Sequence, residues 1–199
     1  MVKISGVECQ LKFFANIKEW KSEMLQAKHK IGLVFFPAFD WAISPTHPER
    51  EERLLYTQDQ IFEEGLFDID GVTELKPDPV TLQDIQRVHF CIPDVWSVAT
   101  ESHFISAGGA KTIGMAVLSG QIDRGFALVR PPGHHAEPER AMGFCLLNHV
   151  AIGALHALEN SSVKRVAIID FDVHHGNGTQ AVFEQNPDVM FISSHQQPL

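Results

Sequence analysis

The sequence has few cysteines, few basic residues and no long apolar run, and each shortage excludes a class of protein. Its three cysteines include no C-x-x-C pair and do not build a disulfide framework, so we expect a reducing, cytoplasmic location. The first residues lack the apolar core of a signal peptide, and no run reaches the length of a membrane span. With 16 basic against 25 acidic residues the net charge is −9, which argues against nucleic acid as a partner.

Apolar runs that alternate with helical segments make up most of the chain. Residues 1–30 have the amphipathic pattern of a helical extension, and the run from Ile31 to Phe36 is typical of a buried strand in a parallel sheet. Further elements are predicted by the same criteria. They are a helix through Leu54 and Phe62, a capped helix from Thr81 to Phe90, a small-residue helix at 106–118, a strand at 125–129 and a strand at 189–193.

The stretch from Val166 to Thr179 combines an apolar run with acids, histidines and glycines. The apolar residues predict a strand buried on both faces, and the glycines predict a turn into a helix near 179–185. Because side chains alternate along extended chain, Asp170, Asp172 and His174 should project from one face. Asp172 and His174 can then share one divalent metal, while Asp170 orients a neighbouring imidazole.

A purely structural explanation of this stretch has to be weighed. A lone D-x-H at a strand end is more often a turn-capping aspartate beside a surface histidine. This chain, however, has two His-His pairs, and three ionisable groups buried without partners or metal would cost several kcal/mol. We therefore favour the metal site.

The second histidine pair stands in the segment R-P-P-G-H-H-A-E, residues 130–137, directly after the predicted strand at 125–129. Its prolines and glycine force an irregular loop, after which helical periodicity resumes from Phe144 to Leu158. Loops that leave the carboxyl ends of parallel strands converge on one crevice. Both histidine-rich loops are therefore expected to open on the same crevice.

Together these motifs resemble the zinc-dependent histone deacetylase family, closest to its class II branch and to bacterial acetylpolyamine amidohydrolases and acetoin-utilisation proteins. The resemblance is carried by R-P-P-G-H-H-A-E, G-F-C-x-L-N and D-F-D-V-H-H-G-N-G-T-Q, preceded by T-H-P-E-R-x-E-R-L. It makes residues 31–199 the N-terminal part of such a domain. It implies an α/β fold of three layers, α/β/α, with a central parallel sheet like that of arginase, and hydrolysis of an acetylated amine.

The resemblance also implies roles for single residues, by position in the motifs. The catalytic and metal-binding positions are His134, His135, Asp170 and Asn177 for catalysis, and Asp172 and His174 for zinc. The substrate-binding positions are Gly143 and Phe144 in the wall of an acyl-lysine tunnel and Asp94 at the substrate backbone. Further implied features are Arg53 behind the site and a structural K⁺ bordered by Ser193 and Ser194. Another divalent metal, such as Fe²⁺, is an alternative to Zn²⁺.

The implied mechanism gives the two histidines different tasks. His135 is the expected base for the attacking water, and His134, backed by the Asp170 carboxylate, is expected to stabilise the oxyanion. Because Asn177 adds no charge, His135 should be the less basic of the two. The substrate is an acetylated lysine peptide, an acetylated polyamine or another small acetylated amine, and a homo-oligomer is left open.

Three alternatives remain beside this reading. Ureohydrolases share the fold and the D-x-H spacing, but they need a further aspartate where this chain has Gly176, which disfavours two metals. A non-catalytic protein that binds acetylated amines or acts as a scaffold is the second alternative. The third is a plain structural domain.

A complete deacetylase site would also need a third metal ligand and usually a tyrosine. The acids after His174 are Glu184 and Asp188, and neither is predicted to lie near the crevice. The single tyrosine, Tyr56, falls in a predicted helix. We therefore expect the sheet to continue beyond residue 199, and we hypothesise that this chain alone binds zinc weakly and is inactive.

Overall fold

The computed structural model describes residues 25–39, 41, 43–44, 46–90 and 101–197, and within them the chain alternates strands and helices. In chain order these are β1 (Gln26–Phe36), α1 (Glu51–Glu63), a 3₁₀ turn (Leu66–Asp68), β2 (Asp70–Glu74), α2 (Leu82–Gln86), α3 (Glu101–Leu118), β3 (Arg124–Val129), α4 (His149–Asn160), β4 (Val166–Asp170), α5 (Asn177–Phe183) and β5 (Val189–Ser193). None of the helices in this part of the chain is long and apolar enough to cross a membrane.

All strand pairs among these elements are parallel, as predicted. β1 lies between β2 and β3, and β4 pairs with β5 so that Asp170 lies opposite Ser193. Parallel neighbours require crossover connections, and here helices supply them. The α/β prediction is therefore confirmed. In the described residues the strands form two separate sheets, because no hydrogen-bonded pairing joins β3 to β4.

Small residues let the helices approach the sheet and each other closely. A Cβ on Gly109 of α3 would crowd Val129 and Val34, and one on Gly108 would overlap the backbone of Asp78. Helix α4 packs along α3, and its buried alanines join the core. The main cluster consists of Val80, Ile85, Val88, Ala107, Leu147, Ala151, Ile152, Ala154, Ile168, Phe183 and Val189.

An apolar groove of about 760 Å³ lies beside β4, under α3 and α4. The residues that line this groove include three from the histidine-rich segments, namely His134, Asp170 and Asp172. His149 at its wall is 6% exposed, and its Nε2 has no hydrogen-bond partner. Burial, reinforced by two nearby histidines, lowers the pKa of His149 to about 3, so this ring is neutral at physiological pH.

The observed elements differ from the sequence-based prediction in several places, and α3 begins at Glu101 and not at Ser106. β1 begins at Gln26, so residues 26–30 are strand and not the end of a helical extension; the rest of that prediction lies outside the described residues. β2 was not predicted because D-G-V-T-E contains no apolar run and forms an edge strand. α2 ends at Gln86 and not at Phe90. α4 begins only at His149, with Asn148 as its N-cap.

Candidate active site

The loop after β3 presents His134 to the carboxyl end of β4. Its Nδ1 lies 3.0 Å from Oδ2 of Asp170, the last residue of β4. The N–H of Thr179, in the first turn of α5, donates to the carbonyl of His134 at 3.1 Å. A Cβ on Gly133 would overlap the Leu147 carbonyl, so only glycine allows this approach to α4. The two histidine-rich loops do meet, as the sequence predicted.

His135 has a different partner from its neighbour. Its Nδ1 lies 2.7 Å from Oδ1 of Asn177, and its ring centroid lies 4.0 Å from that of His134. Burial lowers the pKa of His135, the bond to Asn177 opposes this, and the charges of His134 and His174 lower it further. His135 is therefore held as a neutral imidazole at physiological pH. Its basicity relative to His134 stays a prediction.

Beyond Asp170 the chain bends, so the alternation expected of extended chain is wrong for this segment. The N–H of Asp172 donates to Oδ1 of Asp170 at 3.1 Å, and the N–H of His174 donates to Oδ1 of Asp172 at 2.7 Å. Asx turns of this kind are favoured by aspartate because its short side chain reaches the backbone two residues on. Two successive turns, and not the pleat of a strand, therefore gather the three side chains.

Asp172 and His174 provide two suitable donors for a metal ion. Oδ1 of Asp172 and Nδ1 of His174 are 3.1 Å apart, compatible with two bonds of about 2.0–2.2 Å to one ion. Burial raises the pKa of the Asp172 carboxyl, but hydrogen bonds from His174 and the charge of His134 outweigh this and lower it, so the group is ionised. No set of three His, Cys, Asp or Glu side chains in the described part of the chain is placed to hold a metal. The donors present thus fit part of a zinc site.

The predicted tunnel wall is an exposed turn beside the histidines. Gly143 and Phe144 both have left-handed backbone, with φ of 55° and 67°. A Cβ on Gly143 would overlap the ring of His135, so this position requires glycine on two grounds. The Phe144 ring is 47% exposed and packs edge-on against His47 at 4.9 Å. Asp94 lies outside the described residues.

The buried arginine of this region is Arg130 and not Arg53. Arg53 is largely exposed and pairs with Glu49 at 3.4 Å. Arg130 has no exposed surface, binds both carboxylate oxygens of Glu49 at 3.0 and 3.3 Å through Nε, and also donates to backbone carbonyls of the 37–41 segment. A buried guanidinium that is paired and hydrogen-bonded in this way is a structural anchor. It fastens the segment after β1 to the start of the histidine loop.

Several residues that hold the site were not assigned roles from the sequence. Asn148 donates to the carbonyl of Ala136 and to the Thr179 hydroxyl, both at 3.2 Å. His89 accepts from the N–H of Asn148 at 3.0 Å, and Glu137 accepts from the side chain of Asn177 at 2.8 Å. Asn148 and Glu137 stand within the quoted motifs, but the motif letters do not reveal partners 12 to 59 residues away.

Comparison with known proteins agrees with this geometry. The family model for the histone deacetylase domain matches residues 92–199, more than half of the chain. A probable deacetylase from Archaeoglobus fulgidus is 41% identical over 175 residues, covering 78% of this chain and 48% of the relative. Histone deacetylase 15 from Arabidopsis thaliana is 38% identical over 169 residues, covering 75% and 30%. The chain belongs to the histone deacetylase family.

A solved structure supports the same fold. The HDA15 HD domain superposes with a TM-score of 0.73 at 35% sequence identity, covering 83% of this chain and 53% of that chain. The α/β deacetylase fold is therefore confirmed for the described residues. The chain spans less than half the length of these two curated relatives and about half of the solved domain.

Proposed function

We propose that the chain carries the acid–base half, and two metal ligands, of a zinc-dependent hydrolase that removes acetyl groups from amines. The observation that carries the proposal is the pair of adjacent histidine rings with unlike Nδ1 partners, Asp170 for His134 and Asn177 for His135. A carboxylate partner favours the charged imidazolium, and an amide oxygen orients a ring without adding charge. Two histidines with these environments suit one electrostatic and one proton-transfer role.

Each histidine would act on a different part of the reaction. His135, held at Nδ1 by Asn177, keeps Nε2 free to take a proton from water and to return it to the leaving amine. His134, paired with Asp170, would favour the negative charge that develops on the substrate oxygen. Asp172 and His174 would hold zinc, which supplies polarisation of the acetamide carbonyl and of water when bound.

The wall beside the histidines supports the proposed substrate class. The exposed Phe144 and the half-buried His47 form an aromatic pair that could flank the methylene chain of an acetylated lysine or polyamine. The net charge of −9 would steer a cationic substrate towards the protein. Lysine peptides and polyamines both meet these conditions, so both belong in the test. A K⁺ site near Ser193 and Ser194, Fe²⁺ in place of Zn²⁺, and a cytoplasmic location remain predictions.

The decisive test combines metal analysis with turnover. A form of the protein that spans the whole domain should contain about one zinc per chain and release acetate from an acetyl-lysine peptide or an acetylpolyamine. Chelator should abolish the release and added zinc restore it. Acetate release that persists without metal, or metal-loaded protein that turns over neither substrate, would contradict the proposal.

For the 199-residue chain by itself we propose weak zinc binding and no turnover. In the described residues, only two side chains are placed as ligands for an ion. The single tyrosine, Tyr56, lies on α1, before β2, and is 71% exposed. A protein that binds acetylated amines without hydrolysing them is the competing function. Calorimetric titration with an acetyl-lysine peptide, beside an acetate assay, separates the two, and stoichiometric chelator-resistant zinc with turnover would refute this proposal.

A further inference from the structure

We propose that Glu137 is a positioning residue that acts through Asn177 to set the tautomer of His135. Three side chains form a line from the loop surface to the ring: the Glu137 carboxylate, the Asn177 amide and the His135 imidazole. The catalytic consequence rests on the proposed function. The tautomer of His135 does not depend on the proposed function, and it can be measured in the 199-residue chain.

The hydrogen bonds on both sides of Asn177 are short. Nδ2 of Asn177 donates to Oε1 of Glu137 at 2.8 Å and also lies 3.1 Å from the Met142 sulfur. Oδ1 of Asn177 lies 2.7 Å from Nδ1 of His135. The Asn177 amide therefore has its nitrogen towards the acid and its oxygen towards the imidazole.

The chemistry of the groups makes this orientation obligatory. An ionised carboxylate only accepts hydrogen bonds, so a flipped Asn177 would place two oxygens in repulsive contact. With Oδ1 fixed towards His135, the facing Nδ1 must carry hydrogen, since an unprotonated nitrogen would again oppose a lone pair. Nε2, at the other end of the ring, is left as the acceptor. Free histidine favours the opposite tautomer, with hydrogen on Nε2, so the protein has to impose this one.

Glu137 is itself held in place from its backbone. His89 is 3% exposed, and burial lowers its pKa, so its ring is neutral. Since the N–H of Asn148 donates to Nε2 of His89, the hydrogen lies on Nδ1, which donates to the Glu137 carbonyl at 3.0 Å. The Glu137 N–H donates to the carbonyl of Arg140 at 2.9 Å, and an Arg140 side-chain nitrogen donates to Oε1 at 3.2 Å. Glu137 is thus held from both backbone sides, as a positioning group requires.

In the proposed reaction this arrangement gives His135 the form that it needs as a base. A base must present a lone pair to the water proton, and only the Nδ1–H tautomer presents it at Nε2. The Asn177 oxygen can then follow the ring from neutral to charged without losing its hydrogen bond. Glu137 does not touch the reacting atoms, and its contribution is the orientation of Asn177.

The direct test is nitrogen NMR of the 199-residue chain labelled at histidine, at a pH above the range in which histidine titrates. His135 is assigned by its loss in His135→Ala. The wild-type chain should show His135 with a protonated Nδ1 and an unprotonated Nε2. Hydrogen on Nε2 in the wild type would overturn the inference without any variant.

Variants at 137 test the cause. Glu137→Gln keeps the shape but can turn either its oxygen or its NH₂ towards Asn177, so both amides can flip together. We expect a detectable Nε2–H population for His135 in Glu137→Gln and in Glu137→Ala. Glu139→Gln removes the same charge from an exposed neighbour and should keep the wild-type tautomer. A wild-type tautomer in a folded Glu137 variant would overturn the inference, and Glu137→Ala provides the second reading if Glu137→Gln unfolds.

Kinetics of a form that turns over separate this inference from the proposed function. There, Glu137→Gln should lower kcat several-fold with little change in KM, because substrate contacts are untouched. An equal kcat in Glu137→Gln and Glu139→Gln would overturn the catalytic consequence. If the tautomer shifts in Glu137→Gln while the wild type hydrolyses no acetylated amine, the positioning role holds and the proposed function fails.

Discussion

The two histidine-rich loops differ in how firmly the described residues hold them. The loop after β3 is tied along its length, by Thr179 at His134, by Asn148 at Ala136 and by His89 at Glu137. The loop after β4 is held by the turns at Asp170 and Asp172, by the bond between the His175 and Gln180 side chains, and by one bond from the Gln196 N–H to the Val173 carbonyl. Its Asp172 and His174 side chains are 49% and 63% exposed.

The difference shows which part of the site this chain can build. Proton-transfer groups need fixed orientation, and the loop after β3 supplies it through buried long-range hydrogen bonds. Metal ligands gain rigidity from the ion that they bind and from their outer partners. The proposed acid–base groups are therefore preorganised in this chain, while the proposed metal ligands would gain their rigidity from the ion.

The largest effect is expected from substitutions in the exposed loop after β4. Asp172→Ala and His174→Ala each remove a proposed ligand, so a form that turns over should lose bound zinc and activity together. Metal analysis after gel filtration, beside acetate release, checks this. His175→Ala is the matched control because its Nε2 bonds Gln180 at 2.7 Å instead. Full zinc occupancy in either variant would show that the substituted residue of the loop after β4 is not a zinc ligand.

A substitution in the firmly held loop after β3 should lower catalysis and leave metal binding unchanged. His135→Ala is expected to lower turnover by about 10²- to 10⁴-fold while zinc stays bound, because it removes a proton-transfer group and no ligand. Turnover and metal content are measured on the same preparation. Turnover like that of the wild type would exclude His135 as the base.

A smaller change at the same loop tests its preorganisation. Gly143→Ala would push a methyl group into the His135 ring, and we expect turnover to fall by about 10- to 100-fold. Gly120→Ala is the matched control, since its φ of 75° carries similar backbone strain and nothing lies within 4 Å of the added Cβ. Both variants should lose about 1–2 kcal/mol of stability from the left-handed backbone. Equal turnover in the two would mean that loop position is not critical.

The smallest effect is expected from mild acid. His149, beside Gly133 of the firmly held loop, has its folded pKa lowered to about 3 from an ordinary 6.5. The unfolded chain therefore binds this proton first, so stability is full above pH 6.5 and declines as the pH falls towards 3. Between pH 7 and pH 6 this group should cost about 0.7 kcal/mol. Urea unfolding at both pH values checks it, and His149→Phe should show a shallower pH dependence than the wild type.

Much of the fold and of the candidate site could be predicted where neighbours in sequence determine the outcome. The apolar runs predicted β4 and β5 at their observed positions, and the capping pattern at Thr81 forms the predicted box with Asp84. β2 was missed because an exposed edge strand needs no apolar run. The late start of α4 was missed because periodicity does not reveal that Phe144 adopts left-handed backbone.

The sequence by itself determined most of the strands and helices, the family and, through the family resemblance, the pairs His134–Asp170 and His135–Asn177. Motif residues follow directly on predicted strands, and parallel strands bring such loops together. Only the tertiary structure decided that Arg130 is the buried arginine, that Glu137 backs Asn177, and that turns replace extended chain after Asp170. These outcomes depend on burial and on hydrogen bonds between segments far apart in the chain. Such distances and angles exist only once the helices and sheets have packed.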